Sequence, residues 1–155
     1  MTRPDLLLAQ LRAAGLSLGV AESLTGGALA ASIVSVPGAS AVFRGGVVSY
    51  ATDLKAALLG VPLSVLAEYG AVHPQVAIGM ADGARSRLGV DLALATTGVA
   101  GPGQQDGQGV GTVFLAASLA GAQTRVRGYR LGASRAHIRQ ACVGLALALG
   151  LSAIS

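Results

Sequence analysis

Along this chain apolar residues recur at helical spacing in some stretches and form alternating or continuous runs in others, and the two patterns take turns. Leu7, Leu8, Leu11 and Ala14 share one face of a first helix, with Thr2 as its cap, Pro4 in its first turn and Gly15 as its stop. A strand is expected at roughly 17–22, a helix over TGGALAASIVSV (25–36), a turn at VPGAS and a strand over GGVVSY (45–50). TDLKAALLG and LSVLAEYG read as two short helices around Pro62, and HPQVAIGMADGARSRLG as a longer one. VDLALATTG is apolar on both faces, which suits a buried strand, and GVAGPGQQDGQG after it is a glycine-rich loop. VGTVFLAASLAG and QTRVRGYR pair as a hairpin; Ser134 then caps a last helix whose stripe is Ile138, Cys142, Leu145 and Leu149. Strands and helices alternating through 155 residues imply one domain over 1–155, an α/β fold: a three-layer α/β/α sandwich with a mixed, mostly parallel sheet.

Composition narrows the function classes. With 52% hydrophobic and 12% charged residues the chain is no solvated polymer, and with 3% aromatics it has little to build base-stacking platforms from. No nucleic-acid partner is expected. The net charge of +4 is concentrated, because five arginines fall between Arg125 and Arg139, and such a patch suits a small anion such as a phosphate. The single Cys142 can form no intramolecular disulfide and sits in a helical apolar pattern, so a reducing cytoplasm is expected. No signal peptide is visible. The uncharged run from Ser23 to Phe43 is broken by Pro37, glycines and serines, and the apolar tail from Ala141 to Ile154 is too short to span a bilayer, so no membrane segment is expected.

The chemistry-bearing residues lie where strands hand over to helices or loops. AESLTGG, residues 21–27, places Ser23, Thr25, Gly26 and Gly27 at a strand's C-terminal end before a helix N-terminus, where open α/β sheets tend to bind ligands. Ser23 reads as a nucleophile whose oxyanion meets the N–H groups of Gly26 and Gly27, or as a plain helix cap. A serine needs a base, and both histidines are poorly placed: His73 precedes a proline and His137 sits in an arginine-rich helix. Lys55 is the only lysine beside ten arginines, and arginine cannot deprotonate, so a chain needing a titratable amine has to keep it. Tyr50 stands five residues earlier, at the end of VVSY. TTGVAGPG, residues 96–103, repeats the strand-then-glycine arrangement with Thr97, Gly98, Ala100 and Gly101, and it matches neither a P-loop nor a dinucleotide fingerprint. Arg135 and Arg139, one helical turn apart, are placed to clamp a phosphate. No cluster has metal-ligand spacing, so no metal is expected.

The ordered set AESLTGG, FRGGVVSYATDLKAALLGV, YGAV, TTGVAGPG, VGTVF and LGASRAHIRQ resembles the C-terminal domain of the CinA (competence/damage-inducible) proteins over roughly residues 5–150. The resemblance implies an α/β/α fold, commonly a homodimer, and absence of the family's N-terminal domain. It implies nicotinamide-nucleotide amidohydrolase activity: nicotinamide mononucleotide and water give nicotinate mononucleotide and ammonia, with no cofactor. Carried over by position, Ser23 is the nucleophile, Lys55 in a desolvated pocket its base, and Tyr50 a group that helps pass a proton to the departing ammonia. Thr25, Gly26 and Gly27 belong to the substrate site, and the loop from Thr97 through Gly98 and Ala100 to Gly101, with Arg135, holds the ribose phosphate. Thr52, His73, Gln108, Gly109 and Ala133 depart from the family's usual residues and lie around the expected pocket. The competing reading is a non-catalytic module that binds a nucleotide or a partner protein through the same contacts.

Overall fold

A run with no polar face to offer water has to lie inside, and the run from Leu92 to Gly98 forms the central strand of a five-stranded sheet. The computed structural model describes residues 3–155. Its elements in chain order are α1 (Arg3–Ala14), β1 (Leu18–Glu22), α2 (Ala28–Val34), a 3-10 turn (Ala39–Ala41), β2 (Phe43–Val48), α3 (Thr52–Leu59), α4 (Leu63–Tyr69), α5 (Pro74–Leu88), β3 (Leu92–Gly98), β4 (Thr112–Leu119), β5 (Arg125–Arg130) and α6 (Arg135–Ile154). The Thr2 cap expected for α1 lies outside the described residues.

The strand order is β2-β1-β3-β4-β5, with β1 parallel to both β2 and β3, and β4 antiparallel to both β3 and β5. Four strands therefore run one way and β4 opposes them. Residues alternate between the two faces of the sheet, and the faces differ in size. Leu18, Val20, Leu92, Leu94, Val113 and Leu115 meet α1, α2 and α6, whereas Ala21, Ala93, Ala95 and Ala116 meet α3, α4 and α5. Small residues let α5 sit close to the sheet and to α3; a Cβ on Gly83 would lie 1.8 Å from the Leu59 carbonyl oxygen.

Two boundaries differ from the sequence expectation. The helix expected over 25–36 begins at Ala28, because Gly26 (φ 60) and Gly27 (φ 104) adopt left-handed backbone and form a turn. The strand expected at 45–50 spans Phe43–Val48, so Ser49 and Tyr50 lie just beyond its end, with the Ser49 N–H still bonded to the Glu22 carbonyl at 2.9 Å. The last helix starts after Ser134, as its cap predicts, and its 20 residues are long and apolar enough by length and composition to cross a membrane, which the 14-residue apolar tail from Ala141 alone was not expected to do. Its buried face, including Ile138, Cys142, Ala146 and Leu149, is packed in the core with the sheet, and Leu145 is partly buried there. Burial pushes the Cys142 thiol up to about 12, as for a small core residue.

Candidate active site

The parallel strands β1, β2 and β3 end on one edge of the sheet, and the chain between them takes opposite faces: α2 links β1 to β2 on one side, and α3 to α5 link β2 to β3 on the other. The 2-1-3-4-5 order opens a crevice at the C-terminal ends of β1 and β3, where doubly wound sheets bind ligands. Ser23 follows β1, Ser49 and Tyr50 follow β2, and Gly98 closes β3.

Lys55 reaches this edge from the first half of α3 and is wholly buried. Its Nζ lies 3.0 Å from Ser23 Oγ, 2.6 Å from the Ser49 carbonyl oxygen and 3.4 Å from that of Tyr50. As an ammonium it donates to all three. As a neutral amine it has two hydrogens for the two carbonyls and one lone pair, which then faces the Ser23 hydroxyl. Burial drives it towards that neutral form, lowering its pKa to about 8, while the negative charge of Asp106 acts in the opposite direction.

The loop bearing Ser23 is tied on every side. The Ser23 N–H donates to the Thr96 carbonyl at 3.0 Å, and the Thr25 hydroxyl is 2.8 Å from that of Thr96. Arg139 donates from Nε to the Leu24 carbonyl and from Nη2 to that of Thr25, at 2.9 and 3.0 Å. Glu22, wholly buried, accepts the N–H groups of Gly27 and Leu29 on Oε1 and that of Ala30 on Oε2. A carboxylate thus occupies the unpaired donors at the start of α2, where the helix dipole favours negative charge.

This arrangement changes two expectations. The Gly26 N–H donates to the Ser23 carbonyl at 3.0 Å and the Gly27 N–H to Glu22, so neither is free for an oxyanion. Arg139 spends Nε and Nη2 of its guanidinium on the nucleophile's own loop. Beside the nucleophile, the Leu24 N–H has no acceptor among the described residues.

Ser23 opens onto a cavity of about 380 Å³ lined by Tyr50, Thr52, Gly98, Ala100, Gly101, Gln104, Gln105 and Arg135 among others. The volume is in the range of small-molecule sites. Arg135 crosses its mouth, donating to the Gly101 carbonyl and, at 3.2 Å, to the Tyr50 hydroxyl. Tyr50, 60% exposed, therefore gives its carbonyl to Lys55 and its hydroxyl to Arg135. Of the expected substrate residues, Gly98, Ala100, Gly101 and Arg135 line the cavity; Thr25, Gly26, Gly27 and Thr97 do not. The Thr97 hydroxyl donates instead to the Ala71 carbonyl at 2.7 Å. Among the described residues no three His, Cys, Asp or Glu side chains are grouped to hold a metal ion.

A sequence model of the CinA C-terminal domain matches residues 2–154. The chain belongs to the CinA C-terminal domain family. A CinA-like protein of Frankia casuarinae is 53% identical over 134 residues, covering 86% of this chain and 30% of that protein. A putative competence-damage inducible protein of Desulforamulus reducens is 47% identical over 136 residues, covering 86% of this chain and 32% of that protein. The chain thus spans about a third of the length of the curated relatives it matches. Among solved structures, the competence/damage inducible protein CihA of Agrobacterium tumefaciens superposes with a TM-score of 0.93 at 36% identity, covering 98% of this chain and 93% of that one. A CinA superfamily protein of Escherichia coli gives 0.92 at 33% identity, covering 98% and 90%.

Within this CinA domain, sequence reasoning brought Ser23 and Lys55 together and missed the residues that hold them. Glu22 reaches N–H groups five to eight residues ahead, outside the spacing of a usual capping box, so no local pattern flagged it. Asp106, Gln104 and Gln105 stand out in the sequence only as parts of a glycine-rich loop.

Proposed function

We propose that this CinA-family domain is an amidohydrolase that converts nicotinamide mononucleotide and water to nicotinate mononucleotide and ammonia through a serine nucleophile and a lysine base. The observation that carries the reading is a buried lysine, held near pKa 8, with its Nζ 3.0 Å from the hydroxyl of a serine that faces a cavity. An unused structural lysine has no reason to be desolvated against a serine, because the burial costs stability and an apolar residue would avoid it.

In this mechanism neutral Lys55 takes the Ser23 proton as Oγ attacks the carboxamide carbon. The Leu24 N–H, next to the nucleophile, receives the oxyanion in place of the occupied glycine donors. Lys55, now an ammonium, returns the proton to the amide nitrogen, the C–N bond breaks and ammonia leaves. Water, deprotonated by the again neutral Lys55, cleaves the acyl-enzyme and frees the carboxylate product. Tyr50, hydrogen-bonded to Arg135, serves the mouth of the site in this scheme. Arg135 meets the substrate phosphate, with the N–H groups and small side chains of the Gly98–Gly101 segment beside it.

Incubation of the purified protein with nicotinamide mononucleotide, with ammonia and nicotinate mononucleotide measured in parallel, tests the proposal. Equal amounts of both products are expected from the wild type and none from Ser23→Ala, whose fold and nucleotide affinity stay intact. If Ser23 is only a structural hydroxyl, the variant keeps its turnover. A wild type that binds the nucleotide and releases no product favours the non-catalytic binding module.

A further inference from the structure

The two edges of the sheet differ in charge. β2 closes one side with a single cation, Arg44, whereas β5 closes the other with RVRGYR, three arginines and a tyrosine in six residues. The inner side of β5 is fixed by its pairing with β4. The Leu131 N–H donates to the Gly111 carbonyl at 2.8 Å, which continues the antiparallel register in which Val113 faces Tyr129, Leu115 faces Arg127 and Ala117 faces Arg125. Backbone groups alternate sides along an antiparallel strand, so Arg125, Arg127 and Tyr129 bond to β4, and Val126, Gly128 and Arg130 turn their N–H and C=O groups away from the sheet. The Val126 carbonyl bears this out, because it accepts the Arg127 guanidinium at 3.0 Å rather than a strand.

The side chains of β5 divide between the two faces of the sheet. Arg125, Arg127 and Tyr129 stand on the α6 face, opposite Ala117, Leu115 and Val113, and Arg125 reaches the Ser152 carbonyl and hydroxyl of α6. Val126 packs on the α5 face with Phe114 and Ala116, and every other residue of the strand is exposed. No acidic side chain follows Asp106 in the sequence, so β5 and α6 carry five arginines and no carboxylate side chain between them. On α5, Asp82 is engaged by the hydroxyls of Ser118 and Thr124. The Arg125 and Arg127 guanidinium groups therefore rest on carbonyl and hydroxyl oxygens, which leaves their charge available at the edge.

We infer that the outer edge of β5 is a docking site for an acidic, extended peptide segment, which pairs as a further strand and sets carboxylates against Arg125 and Arg127. The open ladder supplies the donors and acceptors that a peptide backbone needs, and alternate side chains of an added strand fall beside the arginines on the α6 face. A second copy of this chain is a poor occupant, because its own β5 brings the same three arginines to the seam. A nucleic acid fits less well, since the strand offers one aromatic ring and three cations but a full row of backbone groups. The inference draws on neither Ser23 nor Lys55.

The probe is a blocked peptide alternating glutamate and valine over the length of β5, and its control carries lysine in place of glutamate. Binding is followed by the backbone amide spectrum of the whole chain and by hydrogen exchange at single amides. The glutamate peptide is expected to bind and to slow exchange at Val126, Gly128 and Arg130, whose N–H groups face outward. Exchange at Arg127 and Tyr129, already bonded to β4, should stay as it is. The lysine peptide is expected not to bind. Arg127→Glu, at an exposed position whose guanidinium bonds to its neighbour's carbonyl, should weaken the glutamate peptide about tenfold or more, and added salt should weaken it in the wild type. No binding of the glutamate peptide at millimolar concentration, or equal binding of both peptides, overturns the inference. Binding that leaves exchange at the three outward amides unchanged overturns it too, because the arginines then attract charge without pairing a strand. A single-stranded oligonucleotide that displaces the peptide and binds more tightly in the same salt would assign the edge to nucleic acid instead.

Discussion

At the scale of single residues, Lys55 concentrates the conflict between stability and chemistry. Its buried amine has a pKa of about 8 in the fold, against 10.5 as the ordinary value. Below pH 8 both folded and unfolded chains carry the proton, and the cost of burying a charge is present in full. Between about 8 and 10.5 only the unfolded chain holds the proton, so stability rises with pH across that window. Lys55→Met should therefore abolish turnover and yet stabilise the protein at pH 7 by about 2 kcal/mol, less than the full burial cost because the Ser49 and Tyr50 carbonyls lose their donor. Denaturant melts of both proteins check this, and the gap should close as pH rises towards 10.5. A variant less stable than wild type at every pH would mean that the amine is a structural donor. Arg135 is the contrasting residue, because it lies at the mouth and touches no reacting atom. Arg135→Ala should raise KM for nicotinamide mononucleotide about tenfold or more with kcat within a few-fold, since a phosphate contact is made alike in ground and transition states. A loss confined to kcat in steady-state kinetics would remove Arg135 from phosphate binding.

At the scale of elements, the dyad depends on how closely α3 lies against α5. Gly83 of α5 faces Leu59, the last residue of the helix that carries Lys55, and a methyl group there would lie 1.8 Å from a carbonyl oxygen. Gly83→Ala should cost about 2 kcal/mol or more in denaturant melts and lower kcat as well, because separating α3 from α5 displaces Lys55 from Ser23. Full activity with normal stability would show that the helices move apart without consequence. The same scale explains what was legible in the sequence. Alternating strand and helix runs announced the sandwich, because each buried face writes its own period. Ser23 and Lys55 were legible because a serine at a strand end and a lone lysine among arginines are chemical signals. The grip of Glu22 on α2, of Arg139 on the Ser23 loop and of Asp106 on Ala71 was not, because each joins residues through the fold rather than at a fixed spacing. The glycines at 26 and 27 misled for a related reason: they supply left-handed turn residues, and the carboxylate before them already occupies the helix donors.

At the scale of the molecule, three parallel strand ends, two helix faces and one glycine-rich loop converge on a single edge, and the buried network there supports one serine–lysine pair. The central claim is that this pair performs amide hydrolysis with Lys55 as the base. It is tested most directly by kcat for nicotinamide mononucleotide against pH, in the wild type and in Lys55→Arg. The account predicts a wild-type rate that rises with pH through a single ionisation near 8, and an arginine variant slower by about a hundredfold or more at every pH, because its guanidinium keeps its proton. An arginine variant with near-normal turnover, or a wild-type rate that does not change through pH 8, would contradict it.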